Sequence, residues 1–189
     1  MNFFLIHGAY GHSEENWFPW LKNKLEKLGH TVYVPKFPTP KGQTLENWMK
    51  VFDEYIHLVD ENTVFIGHSL GPAFILSVLE KIDKPVKACF FASPALGTLG
   101  NPTFDSINES FVRKEFDWIR IKKNCEKFYA YIGDNDPYIP LKNAKLMTDK
   151  LDSELVLIEN GGHLNESAGF TKFEKLFDDV VEITKLSIG

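Results

Sequence analysis

The chain has 189 residues, 43% of them hydrophobic, and a formal net charge of −5 at pH 7. This length predicts one domain, residues 1–189, with a core of its own, and the acidic balance argues against a nucleic-acid-binding surface. No apolar run approaches the ~20 residues of a membrane span. The two cysteines, Cys89 and Cys125, do not suggest a disulfide framework, so we expect a cytoplasmic protein.

Short apolar runs alternate with helical patterns along the chain. The first run, FFLI, lacks the basic flank and cleavage site of a signal peptide, so we interpret it as a strand. Continuously apolar runs are typical of parallel strands that are covered on both faces. The predicted strands are 2–6, 31–34, 63–67, 87–92, 128–133 and 154–158.

Amphipathic segments lie between these runs. Apolar residues recur at the i, i+3, i+4 spacing of a helix within 17–28, 45–56 and 173–181. Segment 73–79 is almost wholly apolar and predicts a buried helix, and 141–151 is a weaker helical candidate. The alternation predicts a three-layer α/β/α sandwich with a mostly parallel sheet of about six strands.

One stretch interrupts the alternation. Within residues 93–126, two prolines and two glycines come first, and a mixed segment with several aromatic side chains follows them. The stretch is too short for a domain, and we expect a cap-like excursion that forms a small cap or rim.

The motif GHSLG follows the third predicted strand and opens the buried helix. A nucleophilic serine on such a sharp turn has strained backbone angles, and small residues two before and two after it let strand and helix approach. G-x-S-x-G occurs by chance in ~5% of chains this long. Its position between strand and helix makes Ser69 a candidate nucleophile rather than a helix-capping serine.

A serine nucleophile needs a histidine base within hydrogen-bond reach and a group that orients the base. Among the six histidines, His163 follows the last predicted strand across Gly161 and Gly162. It therefore lies at the carboxyl edge of the sheet, where Ser69 also leaves its strand. We expect His163 to be the base, and His68 to be structural.

The acid is expected from another loop at the same edge. The fifth predicted strand is followed by GDND, which offers Asp134 and Asp136. Either gives the order Ser, Asp, His that α/β-hydrolases have. A metal-dependent hydrolase that uses both aspartates is a further interpretation, but no H-x-H or H-E-x-x-H ligand set accompanies them, and we expect no metal.

Together these stretches resemble an α/β-hydrolase. The narrower resemblance is to the compact serine hydrolases that include retinoblastoma-binding protein 9 and many bacterial relatives. It covers nearly the full chain, and the stretches that carry it are FFLIHGAYG, VFIGHSLG, FDWIRIKKNC, GDNDPYIP and GGHLNESAGF. The resemblance implies a minimal α/β-hydrolase fold, with Ser69 as nucleophile and His163 as base.

The resemblance also bears on the choice of acid. In such families the acid motif reads Gly, two variable residues, Asp, two variable residues, an aliphatic residue and Pro. Gly133, Asp136, Ile139 and Pro140 fit that register, which implies Asp136 as the acid. Asp134 falls at a variable position, and we expect it to bond to the backbone of its own loop as an Asx-type turn residue.

Acyl transfer also needs an oxyanion hole. The residue after the nucleophile, Leu70, is expected to supply one backbone N–H, and the loop after the first strand a second. Gly8 allows close approach there, Ala9 is the expected donor, and His7 is expected to brace this loop.

We expect the pocket to be lined by Tyr10, by Trp17 or Phe18, by Tyr138 and by the 93–126 excursion. The predicted activity is cleavage of a small ester or amide through an acyl-enzyme, carboxylesterase-like in the first place, with amidase or peptidase activity as variants. The alternative is a non-catalytic binding or scaffold protein on a hydrolase fold.

The expected partner is a small acyl substrate, with no cofactor, nucleic acid or membrane. Neither cysteine lies in an L-x-C-x-E motif, so no retinoblastoma-type partner is expected. The sequence leaves a monomer or a small homo-oligomer open.

Overall fold

The computed structural model describes residues 1–185; the last four residues of the predicted domain, 186–189, lie outside them. The strands are β1 (Asn2–Ile6), β2 (Thr31–Tyr33), β3 (Thr63–His68), β4 (Ala88–Ala92), β5 (Phe128–Gly133) and β6 (Leu155–Ile158). They form one six-stranded sheet in the order β2-β1-β3-β4-β5-β6, and every neighbouring pair is parallel. The predicted sheet is confirmed.

Helices cover both faces of this sheet. They are α1 (Phe18–Lys27), α2 (Leu45–Phe52), α3 (Gly71–Leu79), α4 (Pro102–Ile107), α5 (Glu109–Val112), α6 (Trp118–Lys123), α7 (Leu141–Leu151) and α8 (Glu174–Lys185). Successive side chains of a strand point to opposite faces. Phe3 and Leu5 of β1 therefore pack in the core with α1 and α8, whereas Phe4 and Ile6 pack with α2 and α3.

Helix α3 is central to the second of these layers. All nine of its residues are buried, because it contacts the sheet on one side and α2, α5 and α6 on others. The apolar stretch therefore forms a helix covered all round, as predicted. No helix within residues 1–185 is both long and apolar enough to cross a membrane.

The excursion 93–126 divides into two parts. Its later part belongs to the core: Phe111 of α5 and Ile121 of α6 are buried in the same cluster as α3. Its earlier part, which includes Leu99 and Phe104, lines a cavity at the carboxyl edge of the sheet. The predicted rim is therefore confined to a short segment, and the later part packs against α3.

The strand order changes direction between β1 and β3. The chain moves from β1 outward to β2 and then returns to β3 on the other side of β1. Loops after two such strands diverge and leave a crevice at the carboxyl edge, which is where open α/β sheets bind their ligands. The loop after β1 and the turn after β3 lie at this point.

Candidate active site

Ser69 lies on the sharp turn between β3 and α3. Its φ of +56° falls in the left-handed region, which is strained for a residue with a side chain. The Ser69 N–H donates to the carbonyl oxygen of Ala92 at 2.9 Å, and its carbonyl oxygen accepts from the N–H of Ala95 at 2.9 Å. Hydrogen bonds to the last residue of β4 and to the loop after it thus hold the strained turn.

Two glycines let other backbone segments approach this turn. A Cβ atom on Gly71 would collide with the carbonyl oxygen of Ile6 in β1, so α3 begins in direct contact with that strand. A Cβ atom on Gly8 would lie 2.6 Å from Cβ of Ser69, so the loop after β1 touches the serine itself. These close backbone contacts require glycine at both positions.

The two expected oxyanion donors lie beside Ser69. Leu70 follows the serine directly, and Ala9 follows Gly8 in the loop that touches it. Neither the N–H of Ala9 nor that of Leu70 has an acceptor within residues 1–185. His7 bonds the carbonyl oxygen of Gly8 through Nδ1 at 2.8 Å, so its side chain braces this loop.

His163 and Asp136 form a buried pair. Nδ1 of His163 lies 2.9 Å from Oδ2 and 3.1 Å from Oδ1 of Asp136. Because an ionised carboxylate only accepts, Nδ1 carries the proton and Nε2 is left as the basic nitrogen. The N–H groups of Tyr138 and Ile139 also donate to Oδ1 of Asp136, at 2.9 and 3.0 Å.

The surroundings of Asp136 favour its charged form. Burial by itself raises the pKa of this carboxyl, but the bond from His163 and the donors of the Asp136 loop outweigh burial. The net result is a pKa below the ordinary value. A charged Asp136 can therefore orient the imidazole and stabilise its protonated form.

Asp134 does not bond to its own loop, and that prediction is wrong. Its Oδ1 accepts instead from the N–H of Asn160 at 2.9 Å, across the gap to the loop after β6. The next residue repeats the pattern, because Oδ1 of Asn135 accepts from the N–H of Gly162 at 2.7 Å. Residues 134–136 therefore each bind the loop that carries His163, and we call these contacts the loop clasp.

His68 supports the loop of His163 from the other side. Its Nε2 donates to the carbonyl oxygen of His163 at 2.9 Å, and the two rings are 4.9 Å apart. The carbonyl oxygen accepts only, which assigns the proton to Nε2. Burial lowers the pKa of His68 to about 3. His68 is therefore neutral and structural, as expected.

Ser69 and His163 line one cavity of about 670 Å³. Tyr10 and Tyr138, both predicted pocket residues, lie in its wall and are about half exposed. The Tyr138 ring stands edge-on to His163, with centroids 5.0 Å apart. The earlier part of the excursion completes the wall through Leu99, Gly100, Asn101, Thr103 and Phe104.

Trp17 is not a pocket residue, and that prediction is wrong. Its side chain is fully buried at the start of α1, against Phe18 and Phe173, and Phe18 is buried too. The Trp17 indole N–H donates to the carbonyl oxygen of Leu164 at 2.9 Å. Trp17 thus supports the residue after His163 from within the core.

Sequence reasoning missed the polar side chains of this wall. Glu15 and Asn16 line the cavity from the end of the loop after β1, and Asn165 from the loop after His163. Burial raises the pKa of Glu15, although the backbone of His12 and the charges of His12 and His163 oppose the shift. Among the described residues, no lysine or arginine lines this cavity. The signal available was the position of Glu15 in the same loop as Ala9.

A family model described as serine hydrolase matches residues 3–182. The chain belongs to this family. It is 30% identical over 177 residues to YdeN of Bacillus subtilis (strain 168), a protein named as a hydrolase, with 93% of this chain and 92% of YdeN covered. It is 26% identical over 161 residues to the serine hydrolase RBBP9 of Rattus norvegicus, with 85% and 82% covered.

The structural comparison agrees with this family. The crystal structure of the Bacillus subtilis ydeN gene product matches with a TM-score of 0.90 at 28% identity, covering 97% of this chain and 98% of that one. The predicted α/β-hydrolase fold and the predicted family are confirmed. Family membership supports hydrolase activity.

Proposed function

We propose that this protein cleaves a small ester or amide through an acyl-enzyme formed on Ser69. The observation that carries the proposal is the Asp136–His163 pair, 2.9 Å apart, on the cavity that Ser69 also lines. Two unpaired backbone N–H groups beside the serine, within residues 1–185, add to this support. The proposed nucleophile, base and one oxyanion donor, Ser69, His163 and Ala9, line the same cavity, which supports the proposal further.

In the proposed first step, Oγ of Ser69 attacks the carbonyl carbon while Nε2 of His163 takes the hydroxyl proton. The carbonyl π electrons move to the oxygen, and the N–H groups of Ala9 and Leu70 donate to the resulting oxyanion. Collapse of the intermediate breaks the bond to the alcohol or amine, which receives the proton from His163. Water then repeats the sequence on the acyl-enzyme, releases the acid and regenerates Ser69.

No hydrogen bond joins Oγ of Ser69 to His163 anywhere in the described part of the chain. The proposal accommodates this, because the nucleophile–base bond often tightens only when substrate is bound. Asp136 holds the imidazole by Nδ1, which leaves Nε2 available to accept the hydroxyl proton of Ser69.

The cavity supports a substrate class as well. Its volume, about 670 Å³, lies in the ordinary range of small-molecule pockets. Glu15 lines the cavity, and within residues 1–185 no lysine or arginine does, so a negatively charged acyl group would be repelled by an ionised Glu15 without a compensating cation. We therefore propose neutral or positively charged acyl groups, with esters as the first choice because their alcohol leaves more readily than an amine.

The test is labelling with a fluorophosphonate probe, which reacts with an activated serine. The wild type should be labelled, and Ser69→Ala should abolish labelling. Ser106→Ala, which removes an exposed serine on α4 outside the cavity, is the matched control and should be labelled like the wild type. Circular dichroism and thermal unfolding would establish that each variant is folded.

A folded wild type that stays unlabelled would contradict the proposal and favour a binding protein on a hydrolase fold. Substrate preference would follow from a panel of p-nitrophenyl esters of increasing acyl length beside aminoacyl amides. Hydrolysis of the amides but not the esters would overturn the choice of ester.

A further inference from the structure

Gln43 is a buried polar residue that lies outside the proposed reaction. It is 2% exposed and precedes α2. Its Oε1 accepts from the N–H of Tyr10 at 2.8 Å and from Oγ1 of Thr39 at 2.5 Å. Because a backbone N–H only donates, this contact fixes which end of the Gln43 amide faces Tyr10.

The other end of the Gln43 amide contacts the excursion. Its Nε2 donates to Oδ1 of Asn108 at 2.6 Å. Asn108 is fully buried at the junction of α4 and α5, and its Nδ2 donates to the carbonyl oxygen of Phe104 at 2.9 Å. A chain of hydrogen bonds therefore runs from the backbone of Tyr10 to the backbone of Phe104, and both residues line the cavity.

The Tyr10 end of this chain adjoins the proposed oxyanion hole. Tyr10 has a φ of +59°, in the left-handed region that a tyrosine rarely adopts. Its N–H belongs to the peptide unit that begins with the carbonyl of Ala9. Since Gln43 holds that unit, it restrains the orientation of Ala9, whose own N–H has no acceptor within residues 1–185.

The chain of bonds is buried and well satisfied. Gln43 and Asn108 use both ends of their amides, and the network lies between segments that are 33 and 65 positions apart in sequence. Buried polar networks of this kind favour a single arrangement of the groups they join, because each broken bond leaves an unpaired polar atom in the interior. The arrangement selected here is that of the loop after β1 relative to the cavity wall.

We infer that Gln43 is a positioning residue for the oxyanion hole, and that through Asn108 it couples the Ala9 donor to the cavity wall of the excursion. The inference rests on the proposed function for its effect on catalysis. The structural part of the inference, in which Asn108 is coupled to the loop at Tyr10, does not depend on the proposed function.

The catalytic test uses Gln43→Met, which keeps the length of the side chain and removes its hydrogen bonds to Tyr10, Thr39 and Asn108. Loss of an oxyanion donor lowers kcat by about 10²–10³-fold, so a displaced donor should lower kcat by about 10–100-fold with KM within about twofold. Gln43→Glu keeps an acceptor for the Tyr10 N–H but has no N–H to donate to Asn108, so it should recover only part of this loss.

The matched control is Asn124→Leu. Asn124 is another buried amide, 5% exposed, whose Nδ2 donates to the carbonyl oxygens of Leu79 and Ile82, away from the cavity. It should lower the Tm as Gln43→Met does but leave kcat unchanged. If Gln43→Met also leaves kcat unchanged while the wild type is active, Gln43 has only a structural role.

A second measurement does not need activity. In Asn108→Ala, amide hydrogen exchange of the Tyr10 N–H should become at least about tenfold faster than in the wild type, because Gln43 loses the partner that orients it. Asn124→Leu should leave exchange at Tyr10 unchanged. Unchanged exchange in Asn108→Ala would overturn the coupling even if the protein proved inactive, whereas failure of Ser69 labelling would overturn only the proposed function.

Discussion

The two sides of the cavity are held in different ways. On one side, Ser69, Asp136 and His163 follow β3, β5 and β6, so the hydrogen-bonded ladder of parallel strands brings them to one edge. On the other side, the loop after β1 and the wall at 99–104 are joined through the side chains of Gln43 and Asn108. The sheet positions the proposed triad, and individual side chains position the groups around it.

The largest expected effect concerns the two aspartates on the sheet side. Asp136→Asn removes the carboxylate that orients His163 and should lower kcat by up to about 10⁴-fold. Asp134→Asn should stay close to the wild type, because the Asn oxygen can still accept from the N–H of Asn160. Steady-state kinetics on the best ester would measure both, and equal losses would contradict Asp136 as the acid.

The second prediction tests the buried contact between His68 and the loop of His163. The folded-state pKa of His68 is about 3, against 6.5 for the free side chain. Between these values the unfolded chain binds more protons, so the free energy of unfolding falls as the pH falls below 6.5. The loss of unfolding free energy that His68 causes grows as the pH falls and reaches at most about 5 kcal/mol near pH 3.

Urea unfolding at pH 7.5, 6 and 5 would measure this slope. His68→Gln should flatten it, whereas His57→Gln, which replaces an exposed histidine, should keep it. Burial also lowers the pKa of His7, which acts in the same direction, so some slope should remain in His68→Gln. A slope identical to that of the wild type would show that His68 is not held neutral.

The smallest expected effect lies on the other side of the cavity, at Glu15. The wild type should have a higher kcat/KM for a butyryl ester than for the matching hemisuccinyl ester. Glu15→Gln should lower the ratio of these two kcat/KM values several-fold. Because burial raises the pKa of Glu15, the ratio should also shrink as the pH is lowered. Added salt should have a similar but weaker effect.

Glu14→Gln is the matched control, since Glu14 is the exposed neighbour outside the cavity wall. It should leave the ratio unchanged. A ratio that does not respond to Glu15→Gln would mean that charge in the cavity does not select the acyl group.

The contrast between the sheet side of the cavity and the side held by individual side chains also explains which features the sequence could predict. Apolar runs and glycine spacing located the strands, the turn at Ser69 and the edge where His163 lies, because these follow from local periodicity and from parallel topology. Side-chain direction is not local in this sense. Trp17 faces the core because α1 packs that way, and Asp134 reaches across to another loop rather than turning back on its own.

The hydrogen bond between Gln43 and Asn108 shows most clearly what the sequence alone could not predict. It joins residues 65 positions apart, one before α2 and one between two short helices of the excursion. Neither carries a motif, and both residue types are common in loops and caps. Only the tertiary packing of α2 against α5 brings them together.

The loop clasp has a consequence for how this site can be re-engineered. The proposed acid and base are 27 positions apart, in the loops that follow two consecutive, paired strands joined by α7. The segment from β5 to His163 therefore contains the proposed acid, the proposed base and the hydrogen bonds that align them in one continuous stretch of chain. We call this stretch a block. Exchanging this block whole between relatives should transplant a pre-aligned dyad, whereas exchanging either loop alone would separate each donor from its acceptor.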